Sequence, residues 1–229
     1  PLHTPMSVYL KLADAPHTYR LESGEGGARF GRYSIIGLPA RRTVAFRGRQ
    51  MEVRDRGQVV ERREVADPFA EVEALRASYS VPRLEGLPGF TGGLVGWFGF
   101  ECIGYIEPRL AGGDKRDELG TPDIYLMLSE ELAVFDNLKG RLYLIVHADP
   151  REPQAWARAS RRLDALNHRL RHGGAPYPET LHGNALDEAD FVSGFTREGF
   201  IDAVRRSKEY IASGDAFQVV LSQRMSVPF

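Results

Sequence analysis

"DIYLMLSEELAVFD" (residues 123–136) is followed, across Asn137 to Gly140, by "GRLYLIVHA" (residues 140–148). Both runs are apolar and rich in β-branched and aromatic side chains, and the gap between them carries turn residues. They read as two long strands joined in a hairpin. Strands joined this closely must run antiparallel, because a parallel pair needs a long crossover. The segments upstream extend the pattern. "SVYLKL" (7–12) and "TYRLE" (18–22) flank Asp14-Ala15-Pro16, and "RYSIIG" (32–37) follows a bend at Gly24, Gly26 and Gly27. "TVAF" (43–46), "QMEV" (50–53) and "QVVERREV" (58–65) are separated by Gly48 and by Asp55-Arg56-Gly57, which have the composition of hairpin turns. All read as short strands. The fold class is α+β: an antiparallel, sheet-dominated domain with flanking helices, not an alternating parallel β/α pattern.

The helices have their own signals. Asp67 can cap, Pro68 suits the first helical position, and Phe69, Val72 and Leu75 share a face. A second helix opens at Asp149-Pro150-Arg151-Glu152, with Trp156, Ala159, Leu163, Leu166 and Leu170 at helical spacing. Residues 172–190 carry Gly, Pro and acidic residues without periodicity and read as a linker. A third helix, about Thr196 to Ala212, aligns Phe200, Val204 and Ile211, then delivers the chain into the apolar strand "GDAFQVVLSQR" (214–224). The organisation is therefore a first domain over 1–150, a helix and linker over 151–193, and the opening helix and strand of a second, truncated domain over 194–229.

Composition narrows the function classes. The 229 residues include 30 basic and 31 acidic side chains, for a formal charge of −1, and no patch of single sign. Nucleic-acid and membrane-surface binding gain no support from this balance. A single cysteine, Cys102, cannot form an internal disulfide and suits a reducing, cytoplasmic setting. No apolar run approaches the roughly 20 residues of a membrane span. The start "PLHTPMSVYL" has no charged region followed by an apolar core, so no signal peptide is visible.

Candidate chemistry is sparse. His168 and His172, spaced i, i+4, could face one zinc ion, but nothing nearby supplies the remaining ligands. A solvated helix face among Arg161, Arg162, Arg169 and Arg171 is the better account. "GGLVGWFGFE" (92–101) lacks the GKS/GKT ending of a phosphate loop and has no clear helix start after it. Its glycines suit a buried strand packed closely on other backbone. Glu22 and Ser23 come off a strand just before the glycine-rich bend, where a carboxylate, a hydroxyl and free backbone groups could hold a small zwitterion. On chemistry alone, an ordinary turn in which Ser23 bonds its own backbone explains them better. Gln218 and Gln223 are polar groups on an apolar run and need partners, of which a ligand is one. No nucleophile with its base, paired acid and base, or metal-binding cluster is apparent.

"TPMSVYLKL", "LESGEGGARFGRYSIIGLP", "GGLVGWFGFE", "VFDN" and "YIASGDAFQVVLSQR" together resemble the anthranilate synthase component I family, in the family's order and spacing, from Thr4 to about Met225. The resemblance implies that the segment from about Thr196 opens a chorismate-binding domain, most of which lies further along the family's chains. It implies a magnesium-dependent enzyme that converts chorismate and ammonia to anthranilate and pyruvate, with magnesium ligands beyond Phe229. Ammonia would come from a glutamine amidotransferase subunit, so the full-length form would be a hetero-oligomer, and tryptophan would inhibit. Leu21, Glu22 and Ser23 match the family's tryptophan-binding element, which turns the reading of Ser23 from turn to ligand contact; Arg32, Tyr33 and Ser34 match the neighbouring strand and would line the same pocket, with Arg32 as a further tryptophan-binding residue. Where many relatives have a leucine this chain has Arg20, which points to the opposite face from Leu21 if the segment is a strand. Gln218 lines the active site in this comparison; relatives that add water to chorismate carry a lysine there. Two alternatives stand beside this reading: aminodeoxychorismate synthase component I, and a stand-alone amino-acid-binding module.

Overall fold

The computed structural model describes residues 3–22, 31–111, 117, 119–174 and 186–227. Residues Pro1–Tyr177 and Pro178–Phe229 form two compact units. In the first, helix α1 (Pro5–Leu12) precedes strands β1 (Tyr19–Glu22), β2 (Tyr33–Gly37), β3 (Arg42–Arg47), β4 (Gln50–Asp55) and β5 (Gln58–Glu64). Helix α2 (Pro68–Ala77), β6 (Gly93–Phe98), the short α3 (Ile103–Ile106), β7 (Ile124–Ser129), β8 (Glu131–Asp136), β9 (Arg141–Val146) and α4 (Ala155–His172) follow. These strands form two antiparallel sheets, ordered β1-β2-β8-β9 and β5-β4-β3-β7-β6. The α+β, antiparallel expectation is met.

Two cores follow from the two sheets. Val44, Phe46, Met51, Val53, Ile124 and Leu126 face α2, whose Phe69, Val72 and Leu75 pack on them. Asp67 caps that helix, its carboxylate accepting from the amides of Phe69 (2.9 Å) and Ala70 (3.2 Å), with Pro68 at the first position. On the other sheet, Ile36 and Ala133 meet Val8 and Leu12 of α1 and Leu166 and Leu170 of α4. The outer strand β5 is exposed along its whole length. Its Arg62 and Arg63 pair with Glu52, Glu61 and Glu71, and such charges blunt an open sheet edge.

Several expectations are corrected. "SVYLKL" lies in α1, not in a strand. Thr4 Oγ1 accepts from Ser7 N (3.1 Å), Ser7 Oγ accepts from Thr4 N (2.9 Å), and Pro5 stands in the first turn. This reciprocal cap starts a helix, and Val8 and Leu12 then stack i, i+4 into the core. "DIYLMLSEELAVFD" is two strands, not one. Extended, 14 residues would reach ~46 Å at about 3.3 Å each, longer than either sheet is wide along its strands. The chain breaks at Glu130, so that β7 pairs in one sheet and β8 in the other. The hairpin across 137–140 forms as expected.

The long helix α4 begins at Ala155, not near Asp149. Asp149 instead closes a turn onto the Arg151 amide (3.0 Å), and Gln154 holds a left-handed conformation (φ 55°) before the helix starts. The buried stripe is Ala155, Leu166 and Leu170, with Ala159 and Leu163 partly buried. Trp156, one residue off that stripe, is 84% exposed. β6 is an edge strand with Trp97 and Phe98 about half exposed, not a buried one. A 3-10 turn (Phe100–Cys102) and α3 follow it, where no helix start was expected.

In the second unit, β10 (Val192–Ser193) precedes α5 (Arg197–Ala212). Thr196 caps α5 through the Gly199 amide (3.0 Å), and Gly214, at φ 84°, turns the chain out of it. "GDAFQVVLSQR" is irregular backbone, not a strand; only β11 (Met225–Ser226), just beyond it, pairs, with β10. Sequence apolarity favours extension, but a strand exists only when its backbone groups find a ladder partner.

Candidate functional site

β1 and β2 pair with Tyr19 opposite Gly37, Leu21 opposite Ile35 and Glu22 opposite Ser34. The start of β1 is pinned. An added Cβ on Gly37 would lie 2.0 Å from the Tyr19 ring, so glycine is what lets the tyrosine cross over it. The Tyr19 hydroxyl shares a 2.7 Å hydrogen bond with Ser129 Oγ of the other sheet, and burial pushes its pKa up. The other end of β1 is exposed.

Strand alternation then sorts the motif. Leu21, Tyr33 and Ile35 share one face; Arg20, Glu22, Ser34 and Ile36 share the other. Arg20 does point away from Leu21. It reaches Met6 Sδ of α1 (3.5 Å) and pairs with Glu22 (3.2 Å). A depression lined by Arg20, Leu21, Glu22, Tyr33 and Ile35 wraps this strand end. Leu21, 51% exposed, offers it an apolar wall. Ser23 lies outside the described residues.

Arg32 is committed elsewhere. Its Nε and Nη2 donate to Asp136 Oδ1 (3.1 Å) and Oδ2 (2.8 Å), a two-pronged contact with a carboxylate that is 1% exposed. The Arg32 guanidinium and the Lys139 amide hold the Asp136 pKa down at about 2. The guanidinium also stands 4.9 Å from the centre of the Tyr33 ring. From the next residue, Asn137 Nδ2 donates to Gly31 O and to Ser34 Oγ, both at 3.2 Å, and Asn137 N donates to Arg32 O (2.8 Å). "VFDN" was visible in the sequence only as part of a pattern. Its Asp and Asn are the partners of Arg32 and Ser34, a pairing that sequence separation of about a hundred residues concealed.

The other candidates separate cleanly. Cys102 is 5% exposed, donates its thiol to Asp123 O (3.2 Å), and burial pushes its pKa up, so it is a poor nucleophile. Tyr105 OH donates to Asp123 Oδ2 (2.6 Å), which also accepts from Gly48 N (2.7 Å). That cluster ties the glycine-rich segment to the β3–β4 turn. His168 and His172 have ring centroids 4.7 Å apart, while Arg162 and Arg169 pair with Glu131 and Asp14. Gln218 is exposed on the irregular segment, where Phe217 is 95% exposed; Gln223 Nε2 donates to Ser193 Oγ. A larger cavity of about 510 Å³ lies beside α4, lined by Arg41, Arg56, Glu130, His147 and Arg162 among others. None of Leu21, Glu22, Arg32 and Gln218 lines it.

Comparison with known proteins gives this geometry a family. Residues 19–229 match the family model described as chorismate binding enzyme. Anthranilate synthase component 1 of Pseudomonas aeruginosa is 49% identical over 99% of this chain, which covers 46% of that protein. The proteins of the same name from Neisseria meningitidis and Thermus thermophilus are 48% and 40% identical, each again covered for 46% of its length. The crystal structure of anthranilate synthase component I from Streptococcus pneumoniae superposes with a TM-score of 0.65 at 27% identity, over 98% of this chain and 47% of that one. The chain spans about half the length of the relatives it matches.

Proposed function

Since the chain belongs to the chorismate-binding enzyme family, we propose that it is the N-terminal portion of an anthranilate synthase large component, carrying the tryptophan-responsive domain and the opening of the catalytic one. The observation that carries this reading is the unbroken likeness to proteins of that name, over 99% of the chain at 49% identity in one case. The reaction joins ammonia to chorismate, releasing water and pyruvate and leaving anthranilate. An amidotransferase subunit hydrolysing glutamine supplies the ammonia, which accords with the relatives' designation as component 1.

Magnesium, when bound, would neutralise charge on the substrate carboxylates. Among the described residues no group of three His, Cys, Asp or Glu side chains gathers to hold a metal ion. The residues described do not fit that role, and we assign the magnesium ligands to the part of the full-length protein outside this chain. What this chain contributes is regulation. Tryptophan binds at the exposed end of β1, with Leu21 against its ring, Glu22 facing its ammonium or holding the loop, and Ser23 bonding its charged backbone end. Arg32 supports that strand from its contact with Asp136 and does not take the ligand's carboxylate. No helix among the described residues is long and apolar enough to cross a membrane.

The test is product identity. The full-length protein, given chorismate, ammonium and magnesium, should yield anthranilate, recognised by its fluorescence and mass. With glutamine in place of ammonium, product should appear only when an amidotransferase subunit is added. A product that keeps its enolpyruvyl ether, as aminodeoxychorismate does, would move the chain to the other branch of the family.

A further inference from the structure

Gly31 and Arg32, just ahead of β2, and Ser34 within it are held by Asp136 at the end of β8 and by Asn137 in the turn that follows. Gly31 and Arg32 offer their carbonyl oxygens to Asn137; Ser34 accepts from the same side-chain amide; Arg32 clasps Asp136 and covers the Tyr33 ring. Directly across the ladder, Glu22 pairs with Ser34. The end of β1 has β2 as its neighbour in the sheet, and β1 is itself the sheet's outer strand.

A fold staple has no need of this arrangement. A buried ion pair is often matched or bettered in stability by apolar side chains of similar size. What ionic and amide contacts provide is direction: each fixes a donor and an acceptor within a few tenths of an ångström. Here every such contact converges on the segment that sets where Leu21 and Glu22 stand, and Asp136 and Asn137 touch neither residue directly.

We propose that Asp136 and Asn137 are positioning residues for the tryptophan response, holding residues 31–34 so that the facing end of β1 presents a preformed ligand site. This rests on the reading that tryptophan binds at β1. Pre-organisation of this kind shows in affinity, because a ligand that must first order its site binds more weakly.

The experiment is tryptophan inhibition of the full-length enzyme, comparing wild type with Asn137→Asp, which keeps the shape but removes the two side-chain donors, and with Asp136→Asn, which removes the charge. The concentration for half-inhibition should rise about tenfold in each, the equivalent of one to two ordinary hydrogen bonds. Uninhibited kcat and KM for chorismate should stay within about twofold of wild type, and unfolding should remain cooperative. If wild type is inhibited and both variants give superimposable inhibition curves, the positioning role is overturned while tryptophan binding stands. If turnover and inhibition fall together in both variants, the pair is a staple of the fold and the proposal fails. If wild type does not respond to tryptophan, the regulatory reading falls and takes this proposal with it.

Discussion

Gly96 of β6 lies so close to Tyr125 of β7 that a Cβ added to it would stand 1.8 Å from the Tyr125 carbonyl oxygen. The neighbouring Trp97 ring stacks on Tyr125 with centroids 4.8 Å apart, and its indole N–H reaches Pro122 O at 3.2 Å. Glycine is what lets this edge strand close onto the sheet. Gly96→Ala should therefore cost about 1–3 kcal/mol, the usual range for forcing extra volume into a filled site. Gly89→Ala, where an added Cβ meets nothing within 4 Å, should stay within about 0.5 kcal/mol of wild type. Urea unfolding of the two variants checks the contrast; equal midpoints would show that β6 can shift to make room.

Asp136 makes acid stability predictable in sign. Its carboxyl titrates at about 2 in the folded protein instead of the ordinary 3.8, so folding is favoured by its ionised form. That contribution is fully present above about pH 4 and is lost as the pH falls from there towards about 2. The melting temperature should drop through this window more steeply in wild type than in Asp136→Asn, which starts lower and has no proton to take up at this position. Parallel curves would mean that Arg32 does not favour the charged carboxylate.

The parts of this molecule that were legible in its sequence are those governed by neighbours in the chain. The cap at Asp67, the start of the third helix about Thr196, the hairpin turns at Gly48 and Gly57, and the alternation of Arg20 and Leu21 all depend on a few adjacent residues. The Thr4-Pro5 start of α1 was equally local, but "SVYLKL" also fits a strand by composition, and the cap signal went unread. The break at Glu130 was not local at all. Nothing in "MLSEEL" distinguishes one long strand from two; the division follows from which sheets are available to pair with. The grip of Asp136 and Asn137 on residues 31–34 has the same origin, since register between strands a hundred residues apart is a property of the sheet.

Gln218 carries a prediction about the nucleophile. A lysine amine with a lowered pKa can take a proton from water, and a glutamine cannot. In the full-length enzyme, Gln218→Lys should lower ammonia-dependent anthranilate formation and allow traces of a hydroxylated adduct, detectable by mass. Unchanged kinetics with ammonia would remove Gln218 from the active site.

The 229-residue chain by itself should form no anthranilate from chorismate, ammonium and magnesium, because it spans 46% of a relative such as the Pseudomonas aeruginosa protein and the proposed reading assigns the magnesium ligands to the remainder. Fluorescence above background from the purified chain would mean that the catalytic centre has been placed in the wrong half of the protein.

Feedback control is where the account is most exposed, and a tryptophan titration of the full-length enzyme tests it most directly. Wild type and Ser23→Ala are compared at matched chorismate, each curve scaled to its own uninhibited rate. On the proposed reading Ser23 bonds the charged backbone end of tryptophan; a hydrogen bond of that kind is worth about 1.5–3 kcal/mol, so its loss should move half-inhibition upward by roughly tenfold to a hundredfold. Two curves that overlay would contradict the account and leave Ser23 as an ordinary turn residue.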